Sequence, residues 1–328
     1  MVFSICIFED SYSNQLYPLT LTRPSWELRC GISSLKDKVL RQFSQASTYL
    51  FCRDYLAEIV KEQNPRARVN QIDAENCLFI NGRVLFESKL LESVETRQER
   101  ICMCKGEVVA AFLRGANVKK MQLISEKPFQ VEWFSNVDIV EIHAEIINYP
   151  WDLINKNEKE IEHDFNYLDL GGQIQGEISE HAALLTEQRI YIGQNSKIKP
   201  GVVLDAAQGP VYIGNNTTVM PNAVIVGPAF VGDNSTIKIG ARIYEGTSIG
   251  EVCKVGGEIE RSIIHSYSNK QHEGFLGHAY LGQRINLGAD TNNSDLKNNF
   301  GTVKVYVDGK WVDSGSQFVG LFMGDHSK

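Results

Sequence analysis

The 328-residue sequence has no long apolar run, no basic cluster and no regular cysteine framework. No hydrophobic stretch approaches the roughly 20 residues of a transmembrane helix, so we expect no membrane partner. The formal net charge of −7 and the lack of a Lys/Arg stripe argue against a nucleic-acid partner. The amino terminus shows neither a basic leader nor a long apolar segment, so we expect no secretory signal.

The cysteines exclude a disulfide scaffold, because there are seven of them, an odd number without framework spacing. Cys102 and Cys104 lie two positions apart, which puts both on one face of a strand. This spacing is more typical of small core residues than of metal ligands. We therefore expect no metal site in this pair, and a reducing, cytoplasmic location.

Length and composition indicate a globular protein of two domains. A chain of 328 residues exceeds the usual size of one domain, and 43 % hydrophobic with 22 % charged residues is ordinary composition. Short apolar segments such as Tyr49–Cys52 and Cys77–Ile80 alternate with helical patterns such as Ile32–Phe43. This alternation predicts an α/β domain with a mostly parallel sheet over residues 1–168, ending in a linking helix at Trp151–Leu168. The second domain is then residues 169–328.

A six-residue period dominates the second half of the sequence. Such a period fits neither a helix of period 3.6 nor a pleated strand of period 2. It fits a solenoid in which three flat sides form one coil and the apolar residue of each side stacks inward. We therefore predict a parallel β-helix. The residues in register are Ile213, Val219, Ile225, Val231, Ile237, Ile243, Ile249 and Val255.

The segment Leu16–Leu40 (LYPLTLTRPSWELRCGISSLKDKVL) resembles the opening of sugar-1-phosphate nucleotidyltransferases. Together with a hexapeptide β-helix, it is similar to the GlmU-like family, the bifunctional N-acetylglucosamine-1-phosphate uridyltransferases/glucosamine-1-phosphate acetyltransferases. The nearest subgroup is that of sugar nucleotidyltransferases with a C-terminal hexapeptide-repeat domain. The resemblance implies a shortened nucleotidyltransferase-like domain, a left-handed β-helix, a homotrimer and a role in the nucleotide-sugar metabolism of the cell envelope.

The amino-terminal half departs from this family at two places. Where the family has a Gly-rich phosphate loop, this chain has Glu9–Asn14 (EDSYSN). Where the family has a Gly-Asp pair whose carboxylate helps hold Mg²⁺, Arg83 follows glycine here. We expect Mg²⁺ only if the amino-terminal site is active, and Arg83 as a ligand for an anion. Arg23 and Arg29 are candidates for phosphate binding, with a solvated or ion-paired arginine as the alternative.

The carboxyl-terminal half keeps more of the family's motifs. The repeat is predicted to break at Ile263–Gly282, where GHAYLG resembles the family's G-H-x-x-Y-L-G segment. The resemblance implies that His278 is the general base of acyl transfer, with Tyr280 beside it, although the two are one residue closer here. A structural histidine, solvated lysines and corner asparagines are the alternatives. The predicted substrate-binding residues of this half are Lys270, His272, Asn286, Lys297 and Asn298.

The last residues predict a hairpin and a further coil. Val303–Val312 has Asp308–Gly309 at its centre, a strong hairpin signal. Phe318–Lys328 resembles the start of another coil. A solenoid needs a polar cap on its last coil, so we expect the chain to be truncated or covered by a partner.

Three hypotheses for the function follow. The first is acyl transfer from acetyl-CoA to an amino-sugar phosphate or nucleotide sugar, with His278 as base. The second is nucleotidyl transfer from a nucleoside triphosphate to a sugar-1-phosphate in the amino-terminal domain. The third is a non-catalytic regulatory subunit that binds a nucleotide sugar without turning it over.

Overall fold

The computed structural model describes residues 4–94, 97–122 and 129–328. Within these ranges the chain forms two compact units. The first contains the described residues up to Leu16, Thr20–Leu28 and Ser34–Asn148, and the second contains Tyr17–Leu19, Arg29–Ser33 and Tyr149–Lys328.

The first unit is built on a sheet that, over the described residues, has seven strands. Its interior strand Ser4–Phe8 is mostly apolar and buried on both faces, and it pairs in parallel with both neighbours, as strands covered on two sides do. Glu107–Arg114 is antiparallel to both of its neighbours, so the sheet is mostly but not wholly parallel. In order across the sheet the strands are Asp138–Glu141, Arg100–Cys104, Glu107–Arg114, Asn76–Asn81, Ser4–Phe8, Ser47–Phe51 and Arg68–Val69.

Short helices cover the two faces of this sheet, with one apolar cluster under each. The helix predicted over Ile32–Phe43 spans only Leu35–Leu40, because the hydroxyl of Ser34 accepts from the backbone N–H of Asp37 and caps it there. The other α-helices of the first unit are Ala57–Gln63, Ser88–Ser93 and Gly115–Lys120. Its 3₁₀ turns include Ser11–Leu16, Ser25–Glu27, Asp54–Leu56 and Val131–Trp133. Val84–Leu85 pairs with Glu145–Ile146.

The second unit is the predicted left-handed parallel β-helix, so the fold class is confirmed. Ile213 pairs in register with Val231, and Val231 with Ile249, so inward residues 18 positions apart stack on one side. All three are fully buried, and burial of each such side chain stabilises the fold by roughly 1.5–3 kcal/mol.

The first side is formed by Glu177–Ile178, Lys197–Ile198, Thr218–Val219, Thr236–Ile237, Lys254–Val255 and Asn269–Lys270. The second is formed by Ala183–Leu185, Val203–Asp205, Val224–Val226, Arg242–Ile243, Glu258–Glu260 and Phe275–Gly277. The third is formed by Ile190–Ile192, Val211–Ile213, Ala229–Val231, Thr247–Ile249, Ile263–Ser266, Tyr280–Gln283 and Phe322–Met323.

Polar residues at the corners join one coil to the next. The hydroxyl of Ser196 donates to the carbonyl of Gly214 at 2.5 Å and accepts from the backbone N–H of Thr217 at 2.9 Å. Asn195 and Asn216 have φ of 59° and 52°, a left-handed conformation that asparagine tolerates better than most residues. The corners therefore satisfy backbone groups that would otherwise be buried without partners.

The interruption of the coils lies later in the sequence than predicted. Ile263–Ser266 pairs in regular parallel register with Tyr280–Gln283, so the expected break at Ile263–Gly282 is wrong. Ser268 fits the coil because its hydroxyl donates to the carbonyl of Gly282 in the neighbouring coil at 3.2 Å. Asn286 still bridges in parallel to Asn269 of the preceding coil, so residues 288–321 form the actual excursion loop. Phe322–Met323 then returns to pair with the strand at Tyr280.

The excursion loop contains the predicted hairpin. Lys304–Val307 and Lys310–Asp313 are antiparallel, with Asp308 and Gly309 at φ of 47° and 79° in the turn. Positive φ at both central residues is the geometry that Asp-Gly favours in a two-residue hairpin turn. Phe322–Met323 adds a strand to the last coil, as the expected restart of the repeat requires.

The helix Pro150–Leu168 lies within the second compact unit. A domain boundary after residue 168 would place it in the first domain, and that boundary stays a prediction. Its carboxylate Asp152 accepts from the backbone N–H of Tyr149 and completes a capping box. Ile161 and Phe165 pack against aromatic side chains of the third β-helix side. A 3₁₀ turn, Glu187–Arg189, and the short strands Arg29–Cys30 and Ser33–Ser34 complete the described elements.

Buried polar groups of this helix hold the segment Arg29–Ser33. Asn157 accepts from the backbone N–H of Gly31 at 2.7 Å, and Asp164 accepts from Ile32 at 2.9 Å. Gly31 has φ of +83°, and a Cβ atom there would lie 2.6 Å from the carbonyl oxygen of Glu160. Only glycine meets both conditions, so this part of the opening motif has a structural role in the second unit.

Candidate functional site

His278 lies at a corner of the β-helix between the strands Phe275–Gly277 and Tyr280–Gln283, with φ of 48°. Its Nδ1 is 2.8 Å from Oδ2 of Asp295 in the excursion loop, and each side chain is 11 % exposed. The imidazole also stacks on Phe318, with ring centroids 5.0 Å apart and planes 17° apart. Two contacts therefore fix the orientation of the ring.

The carboxylate also fixes which ring nitrogen carries the proton. An ionised carboxylate can only accept hydrogen bonds, so Nδ1 of His278 is the donor in the pair with Asp295. In the neutral imidazole the other nitrogen, Nε2, then has a free lone pair. This arrangement suits proton abstraction at Nε2.

The excursion loop is pinned to the corner that carries His278. The side chain of Asn293 accepts from the N–H of Gly277 and donates to its carbonyl, both at 2.9 Å. Gly320 donates to the carbonyl of His278 at 3.0 Å. A Cβ atom at Gly277 would lie 2.4 Å from Oδ2 of Asp295, so a side chain there would displace the carboxylate. The backbone thus holds Asp295 in place.

Sequence reasoning missed Asp295, Asn293 and Phe318, although a signal for the first was present. His278 and Asp295 are 17 positions apart, the same separation as the stacked corner residues Asn269 and Asn286. One coil further along a β-helix brings a residue next to its counterpart. A coil of 17 residues, one fewer than the six-residue period implies, leads from His278 to Asp295.

Tyr280, predicted as a second catalytic residue, is fully buried. Its hydroxyl accepts from the backbone N–H of Arg29 at 2.8 Å, within the second unit. The catalytic role of Tyr280 stays a prediction, and this contact gives it a structural alternative.

The predicted substrate-binding residues next to the coil have different surroundings. Lys270 is 2 % exposed, and its ammonium donates to the carbonyl groups of His272 at 2.8 Å and Gly256 at 3.2 Å. Burial lowers the pKa of Lys270 from its ordinary value. His272 is exposed, and its imidazole is 3.4 Å from the amide of Gln271. Binding roles for both residues stay predictions.

The remaining three candidates of this half are exposed. Asn286 accepts from the side chain of Asn269 at 2.8 Å, as corner asparagines do for structural reasons. Lys297 donates to the carbonyl of Thr302, and Asn298 follows it. Lys297 and Asn298 lie two and three residues after Asp295 in the same loop, and their binding roles stay predictions.

The candidate arginines near the amino terminus have different surroundings. Arg29 is 2.9 Å from the carboxylate of Glu251 and lies over the ring of Phe230, 5.2 Å from its centroid. Arg23 is buried, and its carbonyl accepts from the guanidinium of Arg53 at 3.0 Å. Their phosphate-binding roles stay predictions.

Arg83 is fully buried in the first unit and bound by carboxylates. Its Nε and Nη2 donate to the two oxygens of Asp10 at 2.8 and 2.5 Å, and Nη2 also donates to Glu107. The guanidinium carbon of Arg83 lies over the ring of Tyr12, 5.1 Å from the ring centroid. Asp10 and Glu107 thus supply anionic partners for this guanidinium from within the first unit, and binding of a substrate anion by Arg83 stays a prediction.

An α/β unit with a mostly parallel sheet, joined to a β-helix with a histidine–carboxylate corner, defines a two-part transferase-like architecture. A family model described as sugar nucleotidyl transferase matches residues 5–173, and the chain belongs to this family. The predicted membership of a sugar nucleotidyltransferase family is thereby confirmed, and with it the prediction that the protein is a transferase. No helix in the described ranges is long and apolar enough to cross a membrane.

Curated relatives extend the comparison. The bifunctional protein GlmU of Synechococcus elongatus is 31 % identical over 126 residues, which covers 33 % of this chain and 27 % of the relative. GlmU of Ruthia magnifica is 32 % identical over 139 residues, covering 41 % and 29 %. The bifunctional sugar-1-phosphate nucleotidylyltransferase/acetyltransferase of Sulfurisphaera tokodaii is 26 % identical over 183 residues, covering 55 % and 38 %. The chain thus spans little more than a quarter to two fifths of these relatives.

Proposed function

We propose that the second unit transfers an acetyl group from acetyl-CoA to the amino group of a sugar phosphate or nucleotide sugar. The observation that carries the proposal is the 2.8 Å contact between Nδ1 of His278 and Asp295. It leaves Nε2 as the proton acceptor that an attacking amine requires. A relative named as an acetyltransferase supports the same chemistry.

In the proposed step, the amine nitrogen attacks the thioester carbonyl while Nε2 of His278 takes its proton. The C–S bond then breaks, and the leaving thiolate takes the proton from the imidazolium, so that amide and free thiol result. Asp295 stabilises the transient positive charge on the ring, because a carboxylate next to a cation favours the charged form. Base catalysis of this kind contributes roughly 10²- to 10⁴-fold to the rate.

The polar residues around this corner supply the proposed substrate contacts. Lys297 and Asn298 are exposed on the loop that carries Asp295, and His272 and Asn286 are exposed on the neighbouring coil corners. An ammonium group binds phosphate as a compact cation, and amides bind sugar hydroxyls. We further propose a homotrimer and a cytoplasmic location, as the family resemblance implies.

A second candidate function is nucleotidyl transfer from a nucleoside triphosphate to a sugar-1-phosphate in the first unit. The match of residues 5–173 to the sugar nucleotidyl transferase model favours it. Relatives named as bifunctional carry both activities in their names. Binding of a nucleotide sugar without turnover is the alternative for the first unit if no transfer occurs.

A two-channel assay on the full chain tests these proposals. One channel measures free thiol released from acetyl-CoA with a panel of amino-sugar phosphates, and the other measures pyrophosphate released from nucleoside triphosphates with sugar-1-phosphates. We expect thiol release that His278→Ala abolishes and that His181→Ala, a change at a histidine whose side chain is 72 % exposed, leaves intact. Thiol release unaffected by His278→Ala would refute the assignment of the base.

A further inference from the structure

Two carboxylates follow the strand Ser4–Phe8 of the first unit. Glu9 and Asp10 come directly after Ser4–Phe8, and Asn81 ends the neighbouring strand, where it pairs in register with Phe8. Because the strands are parallel, their carboxyl ends meet at one edge of the sheet, the usual place for ligands in such folds. The amide of Asn81 donates to Asp10 at 2.7 Å, so these groups form one cluster.

A guanidinium group lies in the middle of this cluster. Arg83 donates to both oxygens of Asp10, to Glu107, to the side chain of Asn148 and to the carbonyl of Ile147. These five oxygens are carboxylate, amide and carbonyl groups, the donor set that a hard divalent cation prefers. In this chain they surround a protonated side chain.

The residues at this edge do not fit Mg²⁺. A magnesium ion requires carboxylate oxygens at about 2.0–2.1 Å in near-octahedral geometry. Both oxygens of Asp10 are already bound by Arg83, at 2.8 and 2.5 Å, and an arginine does not give up its proton in a protein. A second cation at Asp10 and Glu107 would therefore meet a fixed positive charge.

The other carboxylate of the cluster has the same kind of partner. Glu9 receives Nε and Nη2 of Arg53, each at 3.1 Å, and the backbone N–H groups of Ser25 and Arg53. Each carboxylate after the strand Ser4–Phe8 thus has its own guanidinium, and Arg83 also serves Glu107. Two guanidinium groups therefore offset two of the three carboxylate charges of the cluster.

We propose that the guanidinium of Arg83 takes the place of a divalent cation in the first unit. Arg83 fixes the carboxylates of Asp10 and Glu107 without a metal ion. A ligand that binds at this edge of the sheet then binds independently of Mg²⁺. Removal of the guanidinium, with the carboxylates kept, converts the edge into a divalent-cation site. The inference does not depend on acyl transfer in the second unit.

Binding of Mn²⁺ to the full chain, measured by equilibrium dialysis and by electron paramagnetic resonance of the free ion, tests this proposal. We expect no saturable binding by the wild type at millimolar Mn²⁺. Arg83→Gln is expected to bind Mn²⁺ at least about tenfold more tightly and to gain thermal stability when Mn²⁺ is added. Asp10→Asn added to this variant is expected to abolish the gain.

Three results would overturn the proposal. The first is saturable Mn²⁺ binding by the wild type that Asp10→Asn removes. The second is a folded Arg83→Gln variant that binds Mn²⁺ no better than the wild type. The third is tight binding by Arg83→Lys, which keeps the positive charge. If Arg83→Gln does not fold, the wild-type and Arg83→Lys measurements still decide the question.

Discussion

Replacement of Asp295 by asparagine is the most informative change at the proposed active site. The amide has nearly the same shape as the carboxylate that receives Nδ1 of His278 at 2.8 Å, but it carries no charge. An amide can also donate to Nδ1, which moves the ring proton to Nε2 and removes the acceptor. We therefore expect Asp295→Asn to impair proton abstraction while leaving the fold intact.

The size of the effect follows from what a general base contributes. That contribution is roughly 10²- to 10⁴-fold, equivalent to about 3–5 kcal/mol of transition-state stabilisation. Because Asp295 acts through His278 and does not contact the reacting atoms, we expect kcat to fall by about 10²-fold or more with little change in KM. Initial rates of thiol release over a range of amino-sugar phosphate concentrations measure both parameters.

Two further variants separate positioning from general damage. Asp313→Asn, at an exposed carboxylate of the hairpin in the same loop, is the matched control and is expected to leave kcat unchanged. Asp295→Glu is expected to restore part of the rate, because it returns the charge. A change in KM alone, or equal losses in Asp295→Asn and Asp313→Asn, would refute the reasoning.

Three changes in the β-helix unit test its stability. Ser235→Ala leaves the buried N–H of Cys253 without its 2.9 Å partner and is expected to cost about 1–3 kcal/mol in urea unfolding. Burial raises the pKa of the Cys253 thiol to about 12, so its stabilisation is complete below the unfolded pKa of about 8.5 and is lost above it. Between pH 7 and pH 10 we expect Cys253→Ser to lose about 2 kcal/mol less stability than the wild type. Gly31→Ala places a Cβ atom 2.6 Å from the carbonyl oxygen of Glu160 at φ of +83°. It is expected to cost more than the roughly 1 kcal/mol of the left-handed conformation alone and so to lower the thermal midpoint.

Each of these expectations has an opposing result. A Ser235→Ala variant as stable as the wild type would mean that the corner hydroxyls do not contribute. Parallel stability curves of the wild type and Cys253→Ser from pH 7 to pH 10 would mean that the thiol titrates alike in both states. An unchanged midpoint for Gly31→Ala would show that the segment Arg29–Ser33 adapts to a side chain.

The β-helix was predictable because its signal is local and repeated. One inward Ile or Val in every six residues, as at Ile213 and Val219, specifies the stacking without knowledge of any distant contact. The interruption was misplaced because serines such as Ser268 are polar in composition but buried in the coil by hydroxyl–carbonyl contacts. The polarity of a serine alone does not show whether it lies in a regular coil or in an excursion from the coils.

The sites were less predictable because their contacts join distant residues. Arg83 was identified as a departure from the family, but its partner Asp10 lies 73 positions earlier, and no spacing rule connects them. His278 was identified from its motif, whereas the orientation of its ring depends on a loop whose course the sequence does not specify. Counting the 18 residues of a regular coil from His278 leads to Leu296, one residue past Asp295.

A double-mutant cycle of His278→Ala and Asp295→Asn tests the central claim most directly. Thiol release from acetyl-CoA is measured for the wild type, both single variants and the double variant. If Asp295 acts through the His278 base, the double variant is as slow as His278→Ala alone, because the partner of Asp295 is already gone. Losses that add in the double variant would contradict the account, since they would mean that the two residues act separately.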